Sequence, residues 1–213
     1  MGQLVVIAGN LGSGKTTLAR LLSERFEATV FGEIPAEYPY LEDMYADMKR
    51  WCFNNQLSFM VKKAEEHLEI QAGTKLGIQD RGMAETHEVF SQAFLKLGML
   101  SQRDYTMLHR THSLLQPRLE PADLVIFLYA PVPFLHARIL QRDRSTEVAV
   151  WPPLLEELNR QYERWYDALA TKHIGLDMTG IDFVARREDL ESVYSKVQTI
   201  VADPAPSSSR FTP

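Results

Sequence analysis

The chain has 213 residues, of which 45% are hydrophobic and 24% are charged, and its formal net charge at pH 7 is −5. This length and composition favour one soluble domain over two, and the acidic balance argues against a broad surface for nucleic acid or an anionic membrane. The single cysteine, Cys52, excludes an internal disulfide. Because the sequence lacks both a long apolar run and a basic signal peptide, we expect a cytoplasmic protein without a membrane span.

Short apolar runs predict the strands of this domain, at residues 4–9, 28–32, 75–80 and 123–130, with a weaker fifth at 173–178. The runs are continuously apolar, which is typical of strands covered on both faces. The amphipathic stretches between them predict helices at residues 44–72, 83–116, 133–145, 152–171 and 186–201. This alternation predicts an α/β fold with a doubly wound, five-stranded parallel sheet. We expect one domain over residues 1–202 and a disordered, Pro/Ser-rich tail over residues 203–213.

The stretch GNLGSGKT, residues 9–16, directly follows the first predicted strand and runs into a helical sequence. It matches the pattern G-x-x-x-x-G-K-[ST], whose glycines let backbone N–H groups face phosphate oxygens. Lys15 would reach the β- and γ-phosphates, and the Thr16 hydroxyl would bind Mg²⁺. The predicted phosphate site comprises Gly9, Asn10, Gly12, Ser13, Gly14, Lys15, Thr16 and Thr17. ATPases, GTPases and small-molecule kinases all use such a loop, so it leaves the reaction open.

Charged residues stand just beyond the second and third predicted strands, where sheets of this kind bind their ligands. Residues 27–48 contain six acidic residues and no Lys or Arg, which favours an uncharged acceptor that carries a hydroxyl group. Glu33 is our choice for the base that accepts the hydroxyl proton. Asp80 is the competing candidate, and it would also help to hold Mg²⁺ through water. Arg81 would clamp the transferring phosphoryl or the acceptor oxygen.

The stretch RILQRDRSTE, residues 138–147, contains three arginines. A helical step of about 100° per residue puts Arg138 and Arg142 on one side and Arg144 well around the helix. A solvated helix face is therefore one interpretation. With a triphosphate bound in the glycine-rich loop, we favour another: the helix ends near Arg142, and Arg144 swings over the phosphates as part of a lid.

Four blocks of this sequence, in this order, resemble the deoxynucleoside kinase family, which includes the deoxyadenosine, deoxyguanosine and deoxycytidine kinases. The blocks are GNLGSGKTT, GEIPAEYPYLEDMYADMKRWCFNNQLSFMVKK, QDRGMAETHEVF and RILQRDRSTE. The resemblance implies a P-loop kinase fold with an arginine-rich lid and a homodimer. It also implies transfer of a phosphoryl group from ATP, with Mg²⁺, to the 5′-hydroxyl of a (deoxy)nucleoside.

The resemblance also implies roles for individual residues. The implied catalytic residues are Glu33, Asp80 and Arg81, and the implied substrate-binding residues are Glu33, Tyr45, Gln56, Lys63, Arg81, Glu85, Phe90 and Glu147. Among these, Tyr45 and Glu147 would hold the sugar 3′-hydroxyl. Gln56 would face the edge of the base, and Phe90 would stack against it.

The chain departs from the family pattern mainly around the base. Lys63 stands where the family has an arginine, so a point charge replaces a planar fork of donors. Thr86 stands where the family has an aspartate, with Glu85 beside it, and Asn55 replaces an aromatic residue. The sequence therefore predicts the class of acceptor but not which base it carries.

Two other functions remain open from the sequence. A nucleoside monophosphate kinase similar to thymidylate kinase would need a cation for its acceptor phosphate, which residues 27–48 do not offer. A non-catalytic nucleotide-binding accessory protein would have no need of the loop lysine, the acidic residues and the arginines together. We expect a nucleoside and ATP as ligands, and neither nucleic acid nor a membrane as a partner.

Overall fold

The sheet of this protein has five parallel strands in the order β2-β3-β1-β4-β5. The computed structural model describes residues 2–141 and 151–202. The strands are β1 Leu4–Gly9, β2 Thr29–Phe31, β3 Gly77–Asp80, β4 Leu124–Tyr129 and β5 His173–Asp177. The predicted α/β fold with a five-stranded parallel sheet is confirmed, and each predicted strand lies within two residues of its observed bounds.

Helices connect the strands. Within the described ranges they are α1 Lys15–Phe26, α2 Leu41–Ala46, α3 Met48–Ala72, α4 Met83–Glu85, α5 Gln92–Lys96, α6 Gln102–Leu115, α7 Val132–Gln141, α8 Pro152–Asp167 and α9 Arg187–Ala202. A π-helical turn, Thr86–Ser91, joins α4 to α5, and 3₁₀ turns occupy Pro35–Glu37 and Gln116–Arg118. None of these helices combines the length and the apolar character that crossing a bilayer requires. The predicted lid residues Arg142, Arg144 and Glu147 and the predicted tail lie outside the described residues.

The core has two layers because successive side chains of a strand point to opposite faces of the sheet. On one face, Val6 belongs to a buried cluster with side chains of α3, α6 and α8. On the other face, Val5 and Ile7 lie in a second cluster with side chains of α1, α7 and α9. Both faces of the central strands are thus covered, which explains their continuously apolar sequence.

The prediction of one continuous helix at residues 44–72 is wrong. The chain forms α2 and α3 with a break at Asp47, whose backbone angles (φ −147°, ψ 88°) lie outside the helical region. The Asp47 side chain accepts a hydrogen bond from the backbone N–H of Arg50 at 3.1 Å. An aspartate in this position satisfies a free N–H at the start of a helix, so a new helix begins at Met48.

The predicted helix at residues 83–116 is likewise interrupted. Gly98 adopts a left-handed backbone (φ 70°), which ends α5, and Ser101 caps α6 by accepting a hydrogen bond from the N–H of Asp104. The π-helical turn Thr86–Ser91 is a second irregularity, and such turns are frequent near functional sites. Apolar periodicity predicted the helical content of this region, whereas glycine and serine set its boundaries.

Candidate active site

The loop of residues 9–16, the phosphate loop below, leads from the carboxyl end of β1 into α1. Gly9, Gly12 and Gly14 have φ values of 149°, 78° and 103°, which side chains with a Cβ rarely adopt. The Lys15 Nζ donates hydrogen bonds to the carbonyl oxygens of Gly9 and Asn10, at 2.8 and 3.2 Å. Backbone carbonyl oxygens of the loop therefore hold the Lys15 ammonium group in place. The amino terminus of α1 adds a partial positive charge that attracts an anion.

The Asn10 side chain binds α8 rather than pointing to the centre of the phosphate loop. Its Nδ2 donates to the carbonyl oxygen of Leu155 at 2.9 Å and to the Asn159 Oδ1 at 2.7 Å. The Ser13 hydroxyl is buried and has no partner among the described residues, and Thr17 is half-buried in the first turn of α1. The Asn10 side chain therefore attaches the phosphate loop to α8 and is not free to bind phosphate.

Asp80 ends β3 beside β1, with Ile7 as its register partner. The Thr16 hydroxyl donates to its Oδ2 at 2.6 Å, while its buried Oδ1 has no partner among the described residues. Burial raises the pKa of the Asp80 carboxyl, and the nearby Glu33 raises it further. Hydroxyl and carboxylate oxygens are ligands that Mg²⁺ accepts, so Thr16 and Asp80 fit the predicted metal role.

Arg81 follows β3 and is buried among the site residues, although its φ of 66° lies in the left-handed region. Its Nε lies 3.0 Å from the Glu33 Oε1. The centre of its guanidinium lies 3.7 Å from the centroid of the Phe90 ring. A non-glycine residue with this backbone carries about 1–2 kcal/mol of strain, and such strain often marks functional sites.

A cavity of about 170 Å³ opens beside the phosphate loop. A single water needs roughly 10–15 Å³ of comparable space, so the cavity has room for a small organic molecule. The predicted residues Glu33, Tyr45, Gln56, Arg81 and Phe90 all line it, together with Lys15, Gly12 and Thr16 of the loop. The structure therefore brings the proposed base, the arginine and the phosphate loop to one cavity.

Tyr38 and Phe59 also line this cavity, and sequence reasoning missed both. Their rings stack at 3.8 Å between centroids with 13° between planes. Phe59 could have been found, because it lies three residues after Gln56 and so on the same face of α3. Tyr38 gave no comparable signal, since it reaches the cavity from the irregular segment before α2.

Two amide side chains, Asn55 and Gln56, also line the cavity. The Asn55 Oδ1 and the Gln56 Oε1 are buried and have no hydrogen-bond partner among the described residues. The Asn55 Nδ2 lies 3.0 Å from the Met44 sulfur, a weak acceptor. Because buried polar atoms normally find a partner, these oxygens are suited to receive donors from a ligand.

Lys63 and Glu85, both predicted to bind substrate, do not belong to the lining of this cavity. The Lys63 Nζ is fully buried and lies 3.0 Å from the Glu66 Oε2, which also accepts from Gln79. A buried charge requires such a partner, and Glu66 lies one helical turn away. Glu85 is buried beneath the phosphate loop and binds the N–H groups of two glycines.

Arg138 of α7 lies beside the phosphate loop, close to Gly14. A Cβ built on Gly14 would lie 3.7 Å from the Arg138 Nη1 and 3.4 Å from the Phe183 ring. The Nη1 is buried without a partner among the described residues. Arg138 thus has a free donor beside the predicted phosphate site.

A glycine-rich loop at the end of a parallel sheet, with an Asp–Thr pair behind it and a Glu–Arg pair in the adjoining cavity, defines a P-loop phosphotransferase. The family model "Deoxynucleoside kinase" matches residues 5–202. The chain therefore belongs to the deoxynucleoside kinase family, whose members use ATP to phosphorylate nucleosides.

Relatives of known activity are similar over nearly the whole chain. The deoxyadenosine/deoxycytidine kinase of Bacillus subtilis is 26% identical over 204 residues, which is 94% of each chain. The deoxyguanosine kinase of the same organism is 27% identical over 202 residues, covering 92% of this chain and 97% of the relative. The structure of M. mycoides deoxyadenosine kinase with bound dCTP aligns with a TM-score of 0.80 at 25% identity, covering 92% of this chain and all of that chain.

Proposed function

We propose that this protein transfers the γ-phosphoryl group of ATP to the 5′-hydroxyl of a deoxynucleoside. The observation that carries the proposal is that Glu33 and Arg81 line the same cavity as Lys15 and Thr16 of the phosphate loop. A nucleoside in the cavity would present its hydroxyl to the Glu33 carboxylate. ATP, the phosphoryl donor, would lie beside it with its phosphates on the loop. The products are the nucleoside 5′-monophosphate and ADP.

In this reaction the 5′-oxygen forms a bond to the γ-phosphorus as the bond from that phosphorus to the bridging oxygen of ADP breaks. Glu33 accepts the proton that the 5′-hydroxyl loses. Arg81, 3.0 Å from the Glu33 carboxylate, orients that carboxylate and faces the transferring group with its positive charge. Phosphoryl transfer depends mainly on such positioning and charge neutralisation.

The surroundings of the two carboxylates support Glu33 rather than Asp80 as the base. The Glu33 side chain is 27% exposed and lines the cavity. Asp80 is 1% exposed, lies outside the lining and holds the Thr16 hydroxyl. We therefore assign Asp80, with Thr16, to Mg²⁺, which supplies charge neutralisation for the triphosphate when bound.

The rest of the cavity suits a nucleoside. Phe90 and the stacked pair of Tyr38 and Phe59 offer aromatic surfaces for a base, and the Gln56 amide offers a donor and an acceptor for its edge. Tyr45 is proposed to bind the sugar 3′-hydroxyl. Bases with an exocyclic amino group fit best, because such a group can donate hydrogen bonds to the Asn55 Oδ1 and the Gln56 Oε1, which have no partner among the described residues.

The remaining features of the proposal rest on the family resemblance. Arg138, Arg142 and Arg144 would close over the phosphates, and Glu147 would reach the sugar. Of these four, the structure describes Arg138 alone. A homodimer stays a prediction from the same resemblance, and a cytoplasmic location stays a prediction from the sequence composition.

The experiment that tests this function is a turnover assay of the purified protein with ATP, Mg²⁺ and a panel of deoxynucleosides, ribonucleosides and nucleoside monophosphates. We expect ADP release with at least one deoxynucleoside, and chromatography should identify the product as its 5′-monophosphate. The Lys15→Ala variant controls for contaminating kinases and should be inactive. Turnover of a monophosphate alone would contradict the proposal, as would ATP binding without turnover of any acceptor.

A further inference from the structure

Glu85 and Tyr162 form a buried pair beneath the phosphate loop, which we call the anchoring pair. The Tyr162 hydroxyl oxygen lies 2.5 Å from the Glu85 Oε1 and 2.8 Å from the carbonyl oxygen of Gly9. Glu85 also receives the N–H of Gly9 at Oε1, at 3.3 Å, and the N–H of Gly82 at Oε2, at 3.1 Å. Glu85 and Tyr162 are both fully buried. The anchoring pair thus connects three elements: the phosphate loop, the segment after Arg81, and α8.

The two short oxygen–oxygen contacts of Tyr162 can both be linear hydrogen bonds only if two protons are available. The Gly9 carbonyl oxygen can only accept, and the Tyr162 hydroxyl has a single proton to donate. If that proton points to Gly9, the Glu85 carboxyl must supply the proton for the other contact. If it points to Glu85 instead, the 2.8 Å contact between the hydroxyl and carbonyl oxygens has no proton and is repulsive.

We propose that Glu85 is protonated, donates to Tyr162 and, through Tyr162, holds Gly9 in place, so that the anchoring pair positions the phosphate loop for phosphoryl transfer. Glu85 and Tyr162 are positioning residues in this scheme, because neither belongs to the lining of the cavity. The inference rests on the proposed function only for its kinetic consequence. The protonation rests on the contacts of Tyr162 and does not depend on the proposed function.

The electrostatics of the site agree with a neutral Glu85. Burial raises the pKa of its carboxyl, against lowering by the Tyr162 hydrogen bond and by Arg81 and Lys15. An ionised carboxylate here would offset the charges of Lys15 and Arg81, which the triphosphate needs. A neutral acid keeps the hydrogen bonds to both glycines without that loss.

The anchoring pair also explains how α8 is joined to the phosphate loop. Tyr162 belongs to α8, and it binds the carbonyl oxygen of Gly9, to which the Lys15 Nζ also donates. Asn10, the next residue of the loop, binds α8 as well, at Leu155 and Asn159. Movement of α8 would therefore displace the carbonyl oxygen that fixes the loop lysine.

Infrared difference spectroscopy of the whole protein tests the protonation directly. With ¹³C-labelled glutamate, the protein at neutral pH should show the carbonyl band of a protonated carboxyl group, shifted by the label and by D₂O. The band should be absent from the Glu85→Gln variant. Its absence from the wild-type protein would overturn the protonated assignment, whether or not the protein phosphorylates nucleosides.

Kinetics test the positioning role. Glu85→Ala and Tyr162→Phe should lower kcat by about ten- to a hundredfold, with a smaller change in KM, because a displaced loop misaligns the transferring phosphoryl group. Glu85→Gln should restore part of the loss seen in Glu85→Ala, since its amide can donate to Tyr162 and accept from Gly82, although its NH₂ group cannot accept from Gly9 as Oε1 does. If Gln is as damaging as Ala, the negative charge is what matters and the inference fails.

Tyr194→Phe is the matched control. The Tyr194 hydroxyl donates to the carbonyl oxygen of Leu21 in α1 at 3.0 Å, away from the cavity. Its loss should lower the melting temperature and leave kcat unaltered. An unaltered kcat in Tyr162→Phe would overturn the positioning role. If the wild-type protein turns over no nucleoside, the proposed function fails while the infrared band still decides the protonation.

Discussion

Glu33 and Asp80 have different surroundings, and the difference fits the two roles that we propose for them. Glu33 is partly exposed, lines the cavity and is held by Arg81. Asp80 is buried, binds the Thr16 hydroxyl and keeps one oxygen without a partner among the described residues. A base needs access to the acceptor hydroxyl, whereas a metal ligand needs a fixed oxygen near the phosphates. Glu33 therefore fits the role of the base, and Asp80 fits the role of the metal ligand.

The division predicts different kinetic defects for two isosteric variants. Glu33→Gln should lower kcat by about a hundred- to ten-thousandfold, the usual range for loss of a general base, with little effect on ATP affinity. Asp80→Asn should instead raise the Mg²⁺ concentration needed for half-maximal rate. Steady-state kinetics over a Mg²⁺ series and calorimetry with ATP would measure both. A normal kcat in Glu33→Gln, together with an inactive Asp80→Asn, would move the base role to Asp80.

At the scale of elements, the phosphate loop depends on how closely α7 approaches it. A Cβ built on Gly12 would lie 2.7 Å from the carbonyl oxygen of Leu135 and 2.9 Å from the Ile139 side chain. Such a contact with a backbone oxygen cannot be relieved by rotating a side chain. Glycine at this position therefore sets the distance between α7, which carries Arg138, and the phosphates.

Gly12→Ala should accordingly weaken ATP binding at least about tenfold and lower the melting temperature, because α7 and the loop must move apart. Calorimetry with ATP and thermal unfolding would measure the two effects. Gly98→Ala is the control: Gly98 has a similar φ of 70°, but a Cβ there would meet nothing within 4 Å. It should lose some stability through backbone strain and bind ATP normally. Equal loss of ATP binding in both variants would contradict the steric explanation.

The π-helical turn Thr86–Ser91 is the other element that shapes the site. A π turn leaves some backbone groups without their regular helical hydrogen bonds. Here two side-chain hydroxyls donate hydrogen bonds to backbone carbonyl oxygens. The Thr86 Oγ1 donates to Gly82 at 3.2 Å, and the Ser91 Oγ donates to Thr86 at 2.9 Å. The turn separates Glu85, which faces the phosphate loop, from Phe90, which faces the cavity.

At the scale of the whole molecule, we expect a group of histidines between the π-helical turn and α6 to make the stability of the fold depend on pH. The buried His87 ring stacks on His112 at 4.6 Å between centroids, and its Nε2 lies 3.1 Å from the His109 Nδ1. Burial, followed by the charges of His112 and His109, lowers the pKa of His87 to about 4. Burial also lowers the pKa of His112.

Since a histidine in the unfolded chain has a pKa of about 6.5, the unfolded state takes up the proton first as the pH falls. The stability due to neutral His87 is complete above about pH 6.5 and is lost as the pH falls towards 4. In His87→Gln the free energy of unfolding should decrease less steeply over this window, by up to roughly 1.4 kcal/mol per pH unit. Urea unfolding of both proteins at a series of pH values would measure the slopes. Parallel curves would show that His87 does not contribute.

The sequence by itself determined the strands, the phosphate loop and the positions of Glu33 and Arg81, which depend on local patterns: an apolar run, a glycine spacing, a residue just past a strand. The resemblance to a known family, and no such pattern, predicted Tyr45, Gln56 and Phe90, which also line the cavity. Residues at the carboxyl ends of parallel strands must meet at one edge of the sheet, so their order along the chain was enough to bring them together.

The tertiary structure alone decided which buried groups are partners. Glu85, for example, pairs with Tyr162, 77 positions further along the chain. The stacking of Tyr38 on Phe59 is of the same kind. The Lys63–Glu66 pair differs, because both residues lie in α3, three positions apart, where helical spacing alone brings them together. A buried charge or hydroxyl takes whichever partner packing brings within about 3 Å, and no local pattern encodes a partner supplied by a distant helix.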